Sequence, residues 1–147
     1  MEKIALITGA SRGIGAATAR LAAKHGWAVA VNYLANEAAA QSVVDAIRAE
    51  GGTAIAVQGD VASEADILAM FQAVDAQLGR INALVNNAGV VDVTARVDAM
   101  STERLRRMFD TNILGSFLCA REALRRLSTR HGGRGGHFPS PRPLCGR

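Results

Sequence analysis

The 147 residues suffice for one modest domain, and a hydrophobic content of 49% can fill a single core, which excludes a disordered chain. The formal charge of +4 belongs to the end of the chain: residues 1–120 carry −2, whereas residues 121–147 hold seven arginines and one glutamate and carry +6. Those arginines are not interleaved with aromatic residues, which argues against a nucleic-acid partner.

No run of about 18 apolar residues occurs, and the opening MEKIALITG begins a strand rather than a secretory leader. We therefore expect a cytoplasmic protein with no membrane partner. Cys119 and Cys145 form no C-x-x-C pair, and no His-rich spacing accompanies them. They are predicted to be free thiols, and no metal site is predicted.

Short apolar runs alternate with longer segments of helical period, the pattern of βαβ units. Strands are predicted at residues 3–8, 28–33, 53–60 and 82–89. Helices are predicted at residues 12–26, 36–52 and 63–78, followed by one long helix at 101–129. Crossover connections of this kind require a parallel sheet with right-handed connections. The sequence therefore predicts an α/β protein built on a doubly wound parallel sheet.

Local signals predict the ends and the buried sides of these helices. Asn36 is the predicted N-cap of the second helix, and Ser63 with Asp66 matches a capping box at the start of the third. Apolar spacing predicts that three residues of the first helix face inward: Ile14, Ala17 and Leu21.

The first strand runs into the sequence LITGASRGIG, which has Gly9, Gly13 and Gly15 in the strand-to-helix turn. Ligands of parallel sheets bind beyond the carboxyl ends of the strands, and the N–H groups that open a helix attract anions. Glycine lets a phosphate approach the backbone, because a side chain would keep it away. A tight turn without a ligand is the alternative interpretation.

Two further motifs follow in order, LVNNAG at 84–89 and FDTNILGSF at 109–117. Together with the turn T-G-x-x-x-G-x-G, they resemble the short-chain dehydrogenase/reductase family over residues 3 to about 130. The resemblance implies a Rossmann-like sheet, truncated here after about four strands. It also implies hydride transfer between a nicotinamide and a small carbonyl or alcohol substrate. The segment VNYLANEAAA at 31–40 looks most like 3-oxoacyl-carrier-protein reductases and glucose dehydrogenases.

The resemblance also implies site residues. Asp60 would accept from the adenine amine, with a helix-entry turn as its alternative role. Asn87 would line the nicotinamide end, with locking of the fourth strand as the alternative. Asn112 stands at the family's functional asparagine and is the one catalytic residue carried over. The implied cofactor-binding residues are Gly9, Ser11, Arg12, Gly13, Ile14, Gly15, Asn32, Tyr33, Asp60, Val61, Asn87, Ala88 and Gly89.

Charge near the adenosine ribose predicts which cofactor binds. NAD needs a carboxylate for the ribose 2′-OH, whereas NADP needs a cation for the 2′-phosphate. The second strand ends in neutral Asn32 and Tyr33, and Arg12 stands where NADP-preferring family members resemble this chain. We therefore predict NADP(H), with a solvated surface cation as the alternative for Arg12.

The family's serine and its Y-x-x-x-K pair have no match here, since Tyr33, Lys3 and Lys24 are not so spaced. Where the family continues with a fifth strand, this sequence reads STRHGGRGGHFPSPRPLCGR, whose prolines rule out a central strand. We expect an incomplete nucleotide-binding domain at 1–130 and an irregular tail at 131–147. A frame shift or premature end near residue 135 is our hypothesis, and catalytic incompetence is its consequence.

Alternatives remain for function and for the long helix. A non-catalytic NADPH-binding or regulatory module is the second candidate function, and a nucleic-acid binder acting through the arginine-rich tail is a weaker third. The helix at 101–129 is similar to one that the family uses for subunit pairing, so a homo-oligomer is expected. We assign Phe109, Ile113 and Phe117 to the core first and to an interface second. The open sheet edge predicts instability or aggregation.

Overall fold

The computed structural model describes residues 3–136, so the Pro-rich segment and Cys145 lie outside the described residues. The strands are Lys3–Ile7 (β1), Trp27–Tyr33 (β2), Ala54–Gln58 (β3) and Ala83–Val85 (β4). The helices are Gly13–Lys24 (α1), Glu37–Ala49 (α2), Glu64–Gln77 (α3), Thr102–Phe109 (α4) and Gly115–Leu127 (α5). A π-helical segment, Asp110–Leu114, joins α4 to α5, and 3-10 turns lie at Val97–Ala99 and Thr129–His131.

The four strands form one parallel sheet in the order β3-β2-β1-β4. Leu6 of β1 lies opposite Ala30 of β2 on one side and Leu84 of β4 on the other. This architecture confirms the predicted α/β, Rossmann-like parallel sheet. The strand order reverses at β1, so the switch point of the sheet lies between β1 and β4, where ligands of such sheets bind.

Apolar side chains pack on both faces of the sheet. Leu6 belongs to a cluster formed with α3 and α5, whereas its neighbour Ile7 belongs to a second cluster formed with α1 and α2. This alternation follows from the two-residue period of a strand, which sends successive side chains to opposite faces. Strands buried on both faces explain why β1 and β2 are apolar almost throughout.

The predicted helix caps are confirmed. The Asn36 side chain accepts from the N–H of Ala39 at 3.0 Å, and the Ser63 hydroxyl accepts from the N–H of Asp66 at 3.3 Å. The carboxylate of Asp66 completes the second cap differently from a standard capping box. It accepts from the N–H of Asp60 at 3.0 Å rather than from the N–H of Ser63.

The predicted inward face of α1 is wrong. Ile14 is 81% exposed and Leu21 is 58% exposed, and Ala17 is exposed as well. The buried side carries the small residues Gly15, Ala16 and Ala19. A Cβ on Gly15 would lie 2.6 Å from the carbonyl oxygen of Gly9. Because α1 approaches β1 this closely, only small residues fit between them and the large aliphatic residues face outward.

The single long helix predicted at 101–129 is interrupted by the π-helical segment, and the core assignment of Phe109, Ile113 and Phe117 is wrong. Phe109, Ile113 and Phe117 are 56%, 47% and 73% exposed. The buried side of α5 carries residues four apart: Gly115, Cys119, Ala123 and Leu127. A Cβ on Gly115 would lie 2.5 Å from the carbonyl oxygen of Val61, so this close contact sets which side of α5 faces the core.

Residues 131–135 fold back over the end of α5. The N–H of Gly133 donates to the Ser128 carbonyl, and that of Gly135 donates to the Leu127 carbonyl, both at 2.9 Å. Arg80 donates to the carbonyl oxygen of Arg125 at 3.1 Å and to that of His131 at 2.8 Å. These bonds satisfy carbonyls that a helix end leaves unpaired. The domain boundary at 130 and the frame shift stay predictions.

Over residues 3–136, no helix is both long and apolar enough to cross a bilayer.

Candidate functional site

A cleft of about 900 Å³ lies at the carboxyl ends of the strands. Residues that follow each of the four strands line it, together with one side of α4 and the start of the π-helical segment. All the predicted cofactor-binding residues meet there except Gly15. Asn112 lies outside the lining and borders a neighbouring apolar pocket of about 420 Å³.

The glycine turn brings backbone close to the cleft. Gly9 has a φ of +60°, and a Cβ there would lie 2.9 Å from the Cα of Ala88, so a side chain is excluded both by conformation and by space. Arg12 is the N-cap of α1, and its side chain makes no capping hydrogen bond. The helices α2, α3 and α4 each have a side-chain cap at this position, from Asn36, Ser63 and Ser101. The first N–H groups of α1 therefore lack side-chain caps at a cleft wall.

Thr8 and Asn87 lock the glycine turn to the end of β4. The Thr8 hydroxyl accepts from the N–H groups of Asn87 and Ala88, each at 3.0 Å. The Asn87 side chain donates back to the carbonyls of Thr8 at 2.9 Å and of Gly9 at 3.0 Å. The backbone after Val85 is thus bonded to a side chain, which explains why β4 is shorter than the predicted strand at 82–89. Asn87 has the locking contacts considered as its alternative role and also lines the cleft.

Asn32 and Tyr33 end β2 at the cleft. The Asn32 side chain is buried and accepts from the N–H of Gly9 at 3.0 Å. Tyr33 is also buried, and this burial, with a smaller effect of the Glu37 carboxylate, raises the pKa of its phenol. The Tyr33 hydroxyl therefore stays protonated in neutral solution.

Asp60 and Val61 follow β3 on the cleft wall. One carboxylate oxygen of Asp60 accepts from the N–H of Ala62 at 2.8 Å, which is the helix-entry turn considered as its alternative role. Asn86, which was left out of the predicted site, donates to the carbonyl of Ser116 at 3.0 Å and ties β4 to α5.

Two arginines of the cleft are unpaired within the described residues. Neither the Arg12 nor the Arg106 guanidinium forms a hydrogen bond or ion pair with another residue between 3 and 136. A third, Arg107, pairs with Asp92, to which Arg104 also pairs at 3.3 Å. Three carboxylates also line the cleft, those of Asp60, Glu103 and Asp110, so an anionic group would bind locally, at the unpaired guanidinium groups of Arg12 and Arg106.

Asn112 lies in the π-helical segment and binds the loop that follows β4. Its Oδ1 accepts from the N–H of Val90 at 2.7 Å, and its Nδ2 donates to the Val90 carbonyl at 2.8 Å. Irregular π-helical turns inside helices are frequent at functional sites. The side chain thereby fixes Val90, which is itself part of the cleft lining.

The same loop is held at a second point by Asp92. Arg107 donates to the Asp92 carboxylate, and Arg104 donates to the carbonyl of Val93. The N–H of Val93 lowers the pKa of Asp92 most, and the two guanidinium groups lower it further. The loop between the cleft and the apolar pocket is therefore attached to α4 while Asp92 is ionised.

Sequence reasoning missed the helical wall of the cleft. The missed residues on α4 and the π-helical segment are Glu103, Arg106, Arg107, Asp110 and Thr111. Their spacing of three and four residues marks one helix side, so periodicity could have grouped them. Nothing in the sequence showed that this side faces the glycine turn. Within residues 3–136, no three His, Cys, Asp or Glu side chains are grouped as a metal site would require.

The parallel sheet with a cleft at its switch point defines a Rossmann-like α/β protein. A family model described as short chain dehydrogenase matches residues 3–134. The chain belongs to the short-chain dehydrogenase family, whose members generally bind NAD(P)(H) and act on small molecules.

Individual relatives agree with this assignment. The chain is 47% identical over 133 residues to the uncharacterized oxidoreductase YgfF of Escherichia coli, covering 90% of this chain and 54% of that protein. It is 40% identical over 123 residues to the 3-oxoacyl-[acyl-carrier-protein] reductase FabG of Staphylococcus aureus. This match covers 84% of this chain and 50% of that protein. The structure of a mutant Serratia marcescens short-chain dehydrogenase/reductase superposes on this chain with a TM-score of 0.81 at 34% sequence identity. The superposition covers 84% of this chain and 50% of that protein. The chain spans about half the length of these relatives.

Proposed function

We propose that this chain is the nucleotide-binding part of an NADP(H)-dependent oxidoreductase that interconverts a small carbonyl compound and its alcohol. The observation that carries the proposal is the cleft at the switch point, which has an uncapped helix start and the unpaired Arg12 on its lining. No carboxylate lies among its lining residues at the end of β2, which are Asn32, Tyr33 and Leu34.

The residues of the cleft fit such a cofactor. The glycine turn has no room for a Cβ at Gly9, and the N–H groups that open α1 are suited to the diphosphate. The guanidinium of Arg12 is suited to the 2′-phosphate, since arginine binds phosphate through charge-assisted hydrogen bonds. Asp60 and Val61 would border the adenine, and Asn87, Ala88 and Gly89 the nicotinamide end. Ser11, Gly13 and Ile14 would border the phosphates. Gly15, which has no side chain, lets α1 approach the glycine turn and Asn87.

A bound nicotinamide would supply or accept the hydride. In this chain, the Asn112 side chain would act indirectly from the π-helical segment. It binds the main chain of Val90 and would hold that residue in place beside the cofactor. A proton donor with a lowered pKa is needed for the carbonyl oxygen, and buried Tyr33, whose pKa is raised, is unsuited to that role.

These 147 residues contain no Y-x-x-x-K pair, so we propose that they bind the nucleotide without turning over substrate. A non-catalytic NADPH-binding or regulatory module is the second candidate. It is favoured by the same cleft and by the same missing pair. It requires these 147 residues to fold and bind NADPH by themselves, so aggregation of the purified chain would contradict it.

The test uses two arginine variants of the full chain, Arg12→Ala and Arg20→Ala, titrated with NADPH and NADH. Arg20 is an exposed arginine of the same helix and lies away from the cleft, so it is the matched control. Loss of one charge-assisted bond to phosphate should weaken NADPH binding by about tenfold or more in Arg12→Ala. NADH binding by Arg12→Ala and both affinities of Arg20→Ala should remain within about twofold of the parent chain.

Equal affinities of the parent chain for NADPH and NADH would refute the NADP assignment. Failure of either nucleotide to bind would refute the proposed function itself.

We also propose that the apolar side of α4 and α5 pairs with a second copy of the chain. Phe109, Ile113 and Phe117 are all exposed on this side, and large exposed apolar patches are typical of interfaces.

A further inference from the structure

Asn32 joins three of the segments that line the cleft. It lies at the end of β2, and its side chain is only 2% exposed. On one side it contacts the glycine turn, and on the other it contacts the end of β3. Each of these segments contributes lining residues of its own.

Every polar atom of the Asn32 amide has a partner. Oδ1 accepts from the N–H of Gly9 at 3.0 Å. Nδ2 donates to the carbonyl of Gly59 at 3.0 Å and to that of Val57 at 3.3 Å, with a longer contact of 3.5 Å to its neighbour Tyr33. An asparagine amide has two N–H donors and one oxygen with two lone pairs, so both donors are used within the protein. One lone pair of Oδ1 is not used, but the residue is only 2% exposed, so the side chain is poorly placed to bind a ribose.

We propose that Asn32 is a positioning residue, which holds the glycine turn and the end of β3 in the geometry of the cleft and does not itself discriminate NADP from NAD. This proposal rests on the proposed function. The Asn32 main chain contributes as well, because its carbonyl accepts from the N–H of Ala10 at 2.8 Å. The N–H groups of Gly9 and Ala10 are thus used within the protein, and the N–H groups that open α1 remain for an anion.

The position requires an acceptor on one side and donors on the other. An aspartate would keep the acceptor for Gly9 but would direct carboxylate oxygen at the carbonyls of Val57 and Gly59. A leucine of similar size would leave both sides unpaired. The two substitutions therefore separate the two halves of the contact.

The test compares Asn32→Asp and Asn32→Leu with Asn36→Asp as the matched control. Asn36 lies four residues on, is exposed and caps α2 through its Oδ1, which an aspartate retains. Two measurements are made on the full chain: affinities for NADPH and NADH, and amide hydrogen exchange at Gly9 by NMR without nucleotide.

In the parent chain, the Gly9 amide should be protected from exchange. Asn32→Leu should accelerate its exchange by about tenfold or more, whereas Asn32→Asp should leave it protected and change the NMR signals of Gly59 and Asp60. Both variants should weaken NADPH and NADH by the same factor, so the ratio of the two affinities stays constant. Asn36→Asp should change none of these quantities.

Preferential binding of NADH by Asn32→Asp would overturn the proposal, because it would show that residue 32 faces the ribose. An unprotected Gly9 amide in the parent chain would overturn it too, and this measurement does not depend on the stability of any variant. If the parent chain binds neither nucleotide, the proposed function fails, and the exchange of Gly9 in the parent chain still decides whether Asn32 holds the turn.

Discussion

Gly15 of α1 lies close to the segments that follow β1 and β4. A Cβ there would lie 2.5 Å from Nδ2 of Asn87 and 2.6 Å from the carbonyl oxygen of Gly9. Gly15→Ala should lower the free energy of unfolding by about 1–3 kcal/mol, because helix and turn must separate to admit one methyl group. Urea unfolding of the full chain measures this change.

Gly13→Asn is the matched control, two residues earlier in the same turn. Gly13 has a φ of +57° and open space around it, and asparagine tolerates this conformation better than other residues with a side chain. A larger loss of stability in Gly13→Asn than in Gly15→Ala would contradict the packing argument.

Cys119 should make the folded chain less stable as the pH becomes alkaline. Burial, and then the nearby Glu122 carboxylate, raises the pKa of its thiol to about 12. The unfolded chain releases this proton at the ordinary, lower pKa, so the contribution of the thiol to stability is complete below that value and is lost as pH rises toward 12. The loss should reach about 2 kcal/mol between about pH 9 and pH 11.

Cys119→Ala should remove this part of the pH dependence. Both proteins are compared in a Cys145→Ser background, so that a single thiol titrates, and thermal unfolding is followed at each pH. Parallel stability curves for the two proteins from neutral to alkaline pH would contradict the assignment.

Arg126 connects two helices, α3 and α5. Its guanidinium pairs with Asp75 at 2.7 Å, contacts the buried Glu122 at 3.4 Å, and lies 4.8 Å from the centre of the Phe71 ring. Arg126→Met should lower the free energy of unfolding by about 1–3 kcal/mol, because the partly buried ion pairs and the ring contact disappear together.

Arg125→Met, at the neighbouring position of α5, is the control variant for Arg126→Met. Arg125 pairs with the same Glu122 at 2.8 Å, but more than half of its side chain is exposed. Solvent screening should limit its effect to about 0.5 kcal/mol. Equal losses in the two variants, measured by denaturant unfolding, would show that the packing of α3 on α5 does not depend on Arg126.

The elements differ in how far the sequence determines them. The positions of the strands and the caps at Asn36 and Ser63 were predictable, because apolar runs and capping act within a few residues, but the end of β4 at Val85 was not. The buried side of α1 was not, since residue size suggested Ile14 and Leu21, whereas the contact at Gly15 admits only small residues. That contact exists only once the sheet has formed.

The candidate site likewise has parts that the sequence predicts and parts that it does not. The loops after the strands were predictable from the motifs and the family resemblance, and the cleft brings together all the predicted cofactor-binding residues except Gly15. The wall formed by α4 was not predictable, because no spacing relates it to the glycine turn. The bonds of Asn32 to Gly9 and Gly59 were hidden for the same reason, since these residues lie 23 and 27 positions away.

At the scale of the whole molecule, the exposed apolar side of α4 and α5 should drive self-association. Phe117→Ser should shift the chain toward the monomer, because it removes the most exposed aromatic residue of that side. Leu21→Ser, at an exposed leucine of α1, is the matched control and should leave the association unchanged. Sedimentation velocity over a range of concentrations measures the shift, and a parent chain that is monomeric throughout would contradict the prediction.

The reversal of strand order at β1 has a consequence for synthesis on the ribosome. The first three strands lie side by side and are complete by Gln58, but the Thr8 hydroxyl accepts from Asn87 and Ala88, and the Gly9 carbonyl accepts from Asn87. A nascent chain that ends before these residues can assemble one flank of the sheet while its glycine turn lacks an opposite wall. The proposed nucleotide site would therefore be complete only late in translation, when β4 docks beside the strand that was made first.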